Sequence, residues 1–525
     1  MALKLNIKKI DMEAGGKPAV LLNKDDAEEL GVHSMDRVNV LLHDKISTAI
    51  VNVTDRVVKP GEIGLFRELD KTLGVHCDHP VLVEPAAIPE SVSFIKQRLY
   101  GRSILPEQVS SIVHDFVDNK LSDVEAAYFL ASAYVKEFSD DETVALAKAM
   151  VETGQTLKFS RGPIVDKHSI GGIPGNRATM VIVPIVAASG LLIPKTSSRA
   201  ISSASGTSDT MEVLAPVALS LAELTRIVNK VGGCIAWGGS VNLVPADDML
   251  SKLRYTLRLD PHSFVLASIL GKKKAAGAEK IVIDIPTGIG AKVETVSQAR
   301  KLAYSFISLG SKLGMDVQCV ITPGEKPIGN GVGPALEARD VLKVLENDGG
   351  NEDLKNKSLS LAGMVLELGG KAKRGEGREL AEKILESGKA LEKMRQIIEE
   401  QGGNPNVKHD DIAVGSNKYD VCAKGDGTVY GFDNIAITRL ARAAGAPKNK
   451  GSGMYIHVRR GQFVKENEPL YTIYADHSSK LENAVKLSQT LDAMIMEKAI
   501  LGIVENINEV CGETEEEMRQ QHHGS

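Results

Sequence analysis

The chain has 525 residues, which at roughly 100–200 residues per domain means several domains and excludes a single small module. Hydrophobic residues make up 43% and charged residues 25%, an ordinary globular balance that excludes wholesale disorder. The net charge of −5 excludes a global basic field for a nucleic-acid polymer or an anionic membrane, so any anion must be bound locally.

Five scattered cysteines, Cys77, Cys234, Cys319, Cys422 and Cys511, form no CxxC pair and fit a reducing compartment. His76-Cys77-Asp78-His79 is crowded into one turn and reads as a polar loop, so no metal site is expected. The uncharged stretch Ala178 to Pro194 is shorter than the ~20 apolar residues of a membrane helix and is broken by Pro184 and Gly190. Met1 to Leu5 has no apolar signal core, and the expectation is a cytoplasmic protein.

Residues 1–86 carry alternating segments such as Leu3 to Ile7 and Ala49 to Val53, with turns at Gly15-Gly16 and Pro60-Gly61, and predict a small N-terminal β-barrel. Residues 87–160 change to helical period, with capping boxes at Ser122/Glu125 and Ser139/Glu142, and predict a helical domain. Residues 161–403 predict a central α/β domain with a mostly parallel sheet, part of which can return to the helical domain. Its strands are expected at Pro163-Ile164-Val165, Leu191-Leu192-Ile193 and Ile281 to Ile285, each followed by a Gly- or Ser-rich loop and a helix. Residues 404–525 predict a β-rich α+β module with a long closing helix from about Glu482. The tail, Glu515 to Glu517 through His522-His523, reads as polar and frayed.

Ligands of such sheets sit at the carboxyl ends of the strands, and three loops there carry candidate chemistry. Asp166 to Gly175 would point backbone N–H groups and a helix end outward, with Lys167 adding a charge, Ser169 a hydroxyl, and Gly171 and Gly172 close approach; a plain reversal loop would look alike. Lys195 to Asp209 combines Arg199 with many hydroxyls, more donors than one phosphate requires, and suggests two anions side by side. Pro286 to Lys292 has the same context but only a lone GxG, and Lys292 could be a surface lysine.

The run Ser197-Ser198-Arg199-Ala200-Ile201-Ser202-Ser203-Ala204-Ser205-Gly206-Thr207-Ser208-Asp209-Thr210-Met211-Glu212, with Lys167-His168-Ser169, resembles the signature of the thymidine and pyrimidine nucleoside phosphorylases. The likeness extends from about residue 90 to the C-terminal module. The extra N-terminal β domain and the Ser-dense signature are similar to the archaeal branch that phosphorolyses AMP to base and ribose 1,5-bisphosphate. The resemblance implies phosphate contacts at Lys167, Ser169, Ser197 and Thr207. It implies nucleotide contacts at Gly172, Ser198, Arg199, Ala200, Ile201, Ser202, Ser203, Thr207, Ser268 and Lys292. Ser203 stands where the thymidine enzymes usually have histidine, a swap that favours a 5′-phosphorylated substrate.

The segment Leu257 to Ser268 resembles the family's base-binding segment but is shortened, which puts pyrimidine contacts from Arg258 and Lys272 in doubt. The resemblance makes Asp260 the proton donor to the leaving base, whereas Asp260 before Pro261 otherwise reads as a helix N-cap. His168 is the rival acid. The implied partners are AMP, with CMP and UMP open, and inorganic phosphate, in a homodimer or larger homo-oligomer without a cofactor. A pyrimidine nucleoside phosphorylase, a Mg²⁺-dependent phosphoribosyltransferase and a non-catalytic nucleotide-binding assembly protein are the alternatives. Gly329 to Glu337 is similar to an interdomain stretch of the family and is assigned no catalysis.

Overall fold

The computed structural model describes residues 2–74, 80–200 and 203–497. The expectations at His76 to His79, at Ile201 and Ser202, at Cys511 and in the tail fall outside the described residues. No helix among the described residues is long and apolar enough to cross a membrane.

Near the N-terminus, the strands Leu3–Lys9, Glu62–Leu65, Ala19–Asn23, Lys45–Thr54, Arg37–Leu42 and Val81–Pro85 pair in that order and close into a barrel. Period-two alternation does this: Val38, Val40 and Leu42 face inward, and with Val20, Leu22 and Ile63 they form an apolar interior. The barrel is fastened to the next unit by polar contacts. Arg37 pairs with Glu125 and donates to the Lys120 carbonyl at 2.7 Å, and Lys17 lies 3.1 Å from Asp123.

Helices Ser91–Leu99, Pro106–Val117, Asp123–Val135 and Asp140–Glu152 build the helical unit. Both expected capping boxes form: Ser122 and Ser139 accept from the Glu125 and Glu142 amides, while those glutamates accept from the serine amides at 2.8 Å. Glu142 also pairs with the buried Arg98 at 3.1 Å. Helices Pro245–Leu257 and His262–Ala275 return from the α/β region to pack on this unit.

The central parallel sheet runs Asp316–Pro323, Lys280–Thr287, Val165–Ser169, and continues through a bridge between Ile164 and Leu192 to the pair Ile193–Ser197 and Gly233–Trp237. All carboxyl ends therefore open on one side. The helix Ala178–Ala188, with Pro184 inside it, is buried from Ala178 through Ala187, which explains its uncharged sequence without a membrane. Two strands lie later than expected, at Val165–Ser169 and Ile193–Ser197. Their charged residues belong to the strands rather than the loops, because buried partners neutralise them (below).

In the C-terminal module, one sheet joins Gly331–Val332, Gly453–Ile456, Pro469–Ala475 and Asn417–Cys422, and another joins Phe463–Val464, Gly427–Phe432 and Met494–Glu497. The expected long closing helix is a helix of 11 residues, Ser478–Ser488. The chain then turns at Thr490, and Met494–Glu497 pairs with Gly427–Phe432, giving Met494 and Met496 cover in the module's core.

Candidate active site

Strand alternation sorts the residues after Val165 onto two faces. Lys167 and Ser169 share one face with Asp284 of the neighbouring strand: Ser169 Oγ donates to Asp284 Oδ2 at 2.9 Å, and Lys167 Nζ lies 3.7 Å from that oxygen. Asp284 is fully buried and is also held by Lys357 at 3.1 Å and by the Thr322 hydroxyl at 2.6 Å. Burial pushes its carboxyl up, but Lys167 and Lys357 prevail and hold it below the ordinary range. Burial pushes Lys167 down to about 8 against the pull of Asp284, with Lys357 and Arg177 adding to the depression. An anion arriving here meets a cation whose charge it would itself stabilise.

Asp166 and His168 occupy the other face. Asp166 is 2.7 Å from Lys273 and 3.4 Å from Lys195, and Lys195 donates to the Lys167 carbonyl at 2.5 Å. The two lysines overcome the burial of Asp166 and keep it ionised, while burial, opposed by Asp166, drives Lys195 well below the usual lysine range. His168 is likewise depressed by burial and then by Lys273, Lys195, Lys167 and Lys292. A neutral imidazole among four lysines is poorly suited to deliver a proton.

Beyond Ser169 the backbone takes positive φ at Gly171 and Gly172, 79° and 93°. A Cβ on Gly172 would stand 3.0 Å from Lys292 Cγ and 3.1 Å from the Lys292 amide, so only glycine lets the first and third loops touch. Desolvation of the Lys292 ammonium lowers its pKa, with Asp260 opposing and Arg254 adding to the effect.

In the second loop Ser197 ends its strand, half-buried, and Thr207 begins the helix Thr207–Met211. Arg177 bridges the two anion candidates: it donates to Thr207 Oγ1 at 3.2 Å and to the Ser205 carbonyl at 3.0 Å, pairs with buried Glu337, and its charge is felt by Lys167. Arg199 is not a free anion ligand here. Its guanidinium pairs with Glu212 and lies 3.2 Å from Asp209, while the Asp209 carboxylate accepts from the Ala200 and Gly206 amides at 2.7 and 2.9 Å. Ser198 to Ala200 and Ser203 to Gly206 are thus shaped by carboxylates, leaving hydroxyls and amides as donors.

Asp260 differs from all of these. Its side chain is 74% exposed and accepts from Arg254 Nη2 at 2.6 Å and Nε at 3.1 Å, while its amide donates to the Tyr134 hydroxyl at 2.9 Å. The N-cap expectation is corrected: the helix starts at His262 with Pro261 at the cap, no side chain caps it, and Arg254 takes the carboxylate instead. Ser268 lies half-buried on the same helix. Arg258 is an exposed left-handed cap with φ 53°, and Lys272 is engaged by Asp247 and Asp248 at 2.6 and 3.1 Å.

Lys195, Lys273, Asp284, Lys357 and Arg177 were not singled out by sequence. A carboxylate within Ile281-Val282-Ile283-Asp284-Ile285 is itself a signal, since a charge inside an apolar strand needs a buried partner. Among the described residues, Glu346, Asp348 and His409 could hold a metal ion, with ligand atoms within 4.8 Å of one another. The imidazole already bonds Glu346 and lies 3.2 Å from Asp410.

The chain matches the helical bundle domain of a glycosyl transferase family over residues 92–154, that family's a/b domain over residues 161–391, and the pyrimidine nucleoside phosphorylase C-terminal domain over residues 428–491. These matches define the class, a pentosyl-transferring glycosyl transferase with a nucleoside-phosphorylase C-terminal domain. The chain is 46% identical to AMP phosphorylase of Methanococcoides burtonii over 97% of its own length and 100% of that protein's. It is 50% identical to AMP phosphorylase of Methanosarcina mazei, over 93% and 96%, and 46% identical to that of Thermococcus kodakarensis, over 96% and 100%. The chain belongs to the AMP phosphorylase family.

Proposed function

We propose that the chain catalyses phosphorolysis of AMP, in which inorganic phosphate displaces adenine and leaves ribose 1,5-bisphosphate. The observation that carries this reading is the adjacency of two donor-rich loops at the carboxyl end of the sheet, Lys167 and Ser169 beside Ser197 and Thr207, with Arg177 between them. Phosphate on Lys167, Ser169, Ser197 and Thr207 attacks C1′ as the bond from C1′ to the base nitrogen breaks. The 5′-phosphate and ribose lie along Gly172, Ser198 to Ser203, Thr207, Ser268 and Lys292. Most of the rate gain comes from positioning two polyanions against fixed donors.

Adenine leaves as the neutral base once a proton reaches its ring nitrogen; Asp260 takes up that proton when the two anions bind, gives it to the base, and returns to the carboxylate held by Arg254. The charge interaction between Asp260 and Lys292 supports placing this carboxyl beside the nucleotide. The depression of His168 argues against the rival acid. CMP and UMP remain within the same reading, since a proton donor serves any leaving base. Homo-oligomerisation through the helical unit is supported by exposed Tyr100, Leu105, Tyr128 and Val135.

The test compares adenine released from AMP plus phosphate with that from adenosine plus phosphate. Faster release from AMP is expected. A preference for adenosine would return the chain to nucleosides lacking the 5′-phosphate.

A further inference from the structure

The second loop is held from outside its own domain. Ala204 is 3% exposed and packs in the core of the C-terminal module with Ala436 and Leu440. Arg442 Nη1 donates to the Ser203 carbonyl at 2.9 Å. Lys450 Nζ lies 2.7 Å from Glu212 and 3.8 Å from Asp209, and donates to the Asp209 carbonyl at 3.4 Å.

These carboxylates are the ones that shape the loop. Asp209 accepts the Ala200 and Gly206 amides, and Asp209 with Glu212 holds Arg199. One cation, Arg199, faces two acids beside a site meant for anions. Lys450 supplies the second positive charge, so the acidic pair can bind the loop backbone without repelling a phosphate.

We propose that Lys450 and Arg442 of the C-terminal module are positioning residues for the nucleotide loop, holding Ser198 to Ala200 and Ser203 to Gly206 in the shape that receives the substrate's 5′-phosphate. The inference rests on the reading of that loop given above. Neither residue is assigned contact with the substrate. Their effect passes through Asp209, Glu212 and the Ser203 carbonyl, which makes the C-terminal module part of specificity.

The test measures KM for AMP and KM for phosphate separately in Lys450→Met, Lys450→Arg and Arg442→Ala. Lys450→Met should raise KM for AMP about tenfold while KM for phosphate stays within about twofold, and Lys450→Arg should restore most of the loss. Arg442→Ala should move KM for AMP in the same direction by a smaller factor. Amide hydrogen exchange at Ala200 and Gly206 should accelerate in Lys450→Met whether or not substrate is present.

An unchanged KM for AMP in Lys450→Met and Arg442→Ala, or both KM values rising together with a lower melting temperature, would overturn the proposal. Unchanged exchange at those two amides would overturn it too. Wild-type protein that prefers adenosine over AMP sinks the function reading instead. The exchange measurement still tests the clamp in that case.

Discussion

The two sides of the proposed reaction centre are built differently. On the phosphate side, Lys167 is 1% exposed, Asp284 is fully buried, and Ser169 is already bonded. On the base side, Asp260 sits in a short connection between two helices, with its side chain 74% exposed and tethered to Arg254. A parallel strand is covered on both faces, so its side chains are set when the sheet forms. A helix connection has no such cover. Folding therefore prepares the proposed phosphate seat in advance, whereas the proposed acid, Asp260, has no such cover before nucleotide binds.

This contrast is broken most directly at Asp260. Asp260→Asn should lower kcat for AMP phosphorolysis by about 10²–10⁴-fold, the usual range for a lost general acid. Melting should barely change, because an exposed ion pair is worth about 0–1 kcal/mol. Adenine release and a thermal melt on one preparation check both halves; a variant of near-wild-type rate would remove Asp260 from the chemistry.

Asp284→Asn probes the prepared side and should show the opposite balance. It leaves Lys167 and Lys357 buried without their shared carboxylate, a loss of about 3–5 kcal/mol of stability. The double variant Asp284→Asn/Lys357→Met should recover part of the loss by removing one stranded charge. Chemical denaturation of the three proteins measures this. If the double variant were no more stable than the single one, the charge account of this face would be wrong.

Legibility in sequence followed the same division. Alternation and capping boxes were plain in Val38-Val40-Leu42 and in Ser122/Glu125, because each depends on neighbours a few residues away. The strands Val165–Ser169 and Ile193–Ser197 were read two residues early, since Asp166, Lys167 and Lys195 look like loop residues until their distant partners are known. Asp284 was passed over as part of an apolar strand, although a charge there requires a buried partner; Lys357, more than 70 residues later, carried no local sign. Asp260-Pro261 misled in the other direction, since a good N-cap pattern lost its carboxylate to Arg254 six residues before it. The paired anion loops were legible as composition, but the engagement of Arg199 by Glu212 was not, because that pairing exists only after the loop folds back.

The smallest predicted effect is one of pH, and it sharpens the contrast because it reads the phosphate side alone. With Lys167 held at about 8 in the free protein, phosphate affinity should fall as pH rises through about 8, approaching tenfold per unit above it. At about pH 8.5, phosphate binding should take up a proton, seen as a binding heat that varies with the ionisation enthalpy of the buffer. Lys167→Arg should abolish both effects. The sign for stability is opposite to that of an ordinary stabilising ion pair. Between about 8 and the ordinary lysine value the unfolded chain binds the extra proton, so this group's penalty on the fold is complete below about pH 8 and is relieved as pH rises through that window. Proton-independent phosphate binding from pH 7 to 9 would mean that Lys167 is already fully charged before the anion arrives. The strand would then be a rigid cationic seat rather than one completed by its ligand.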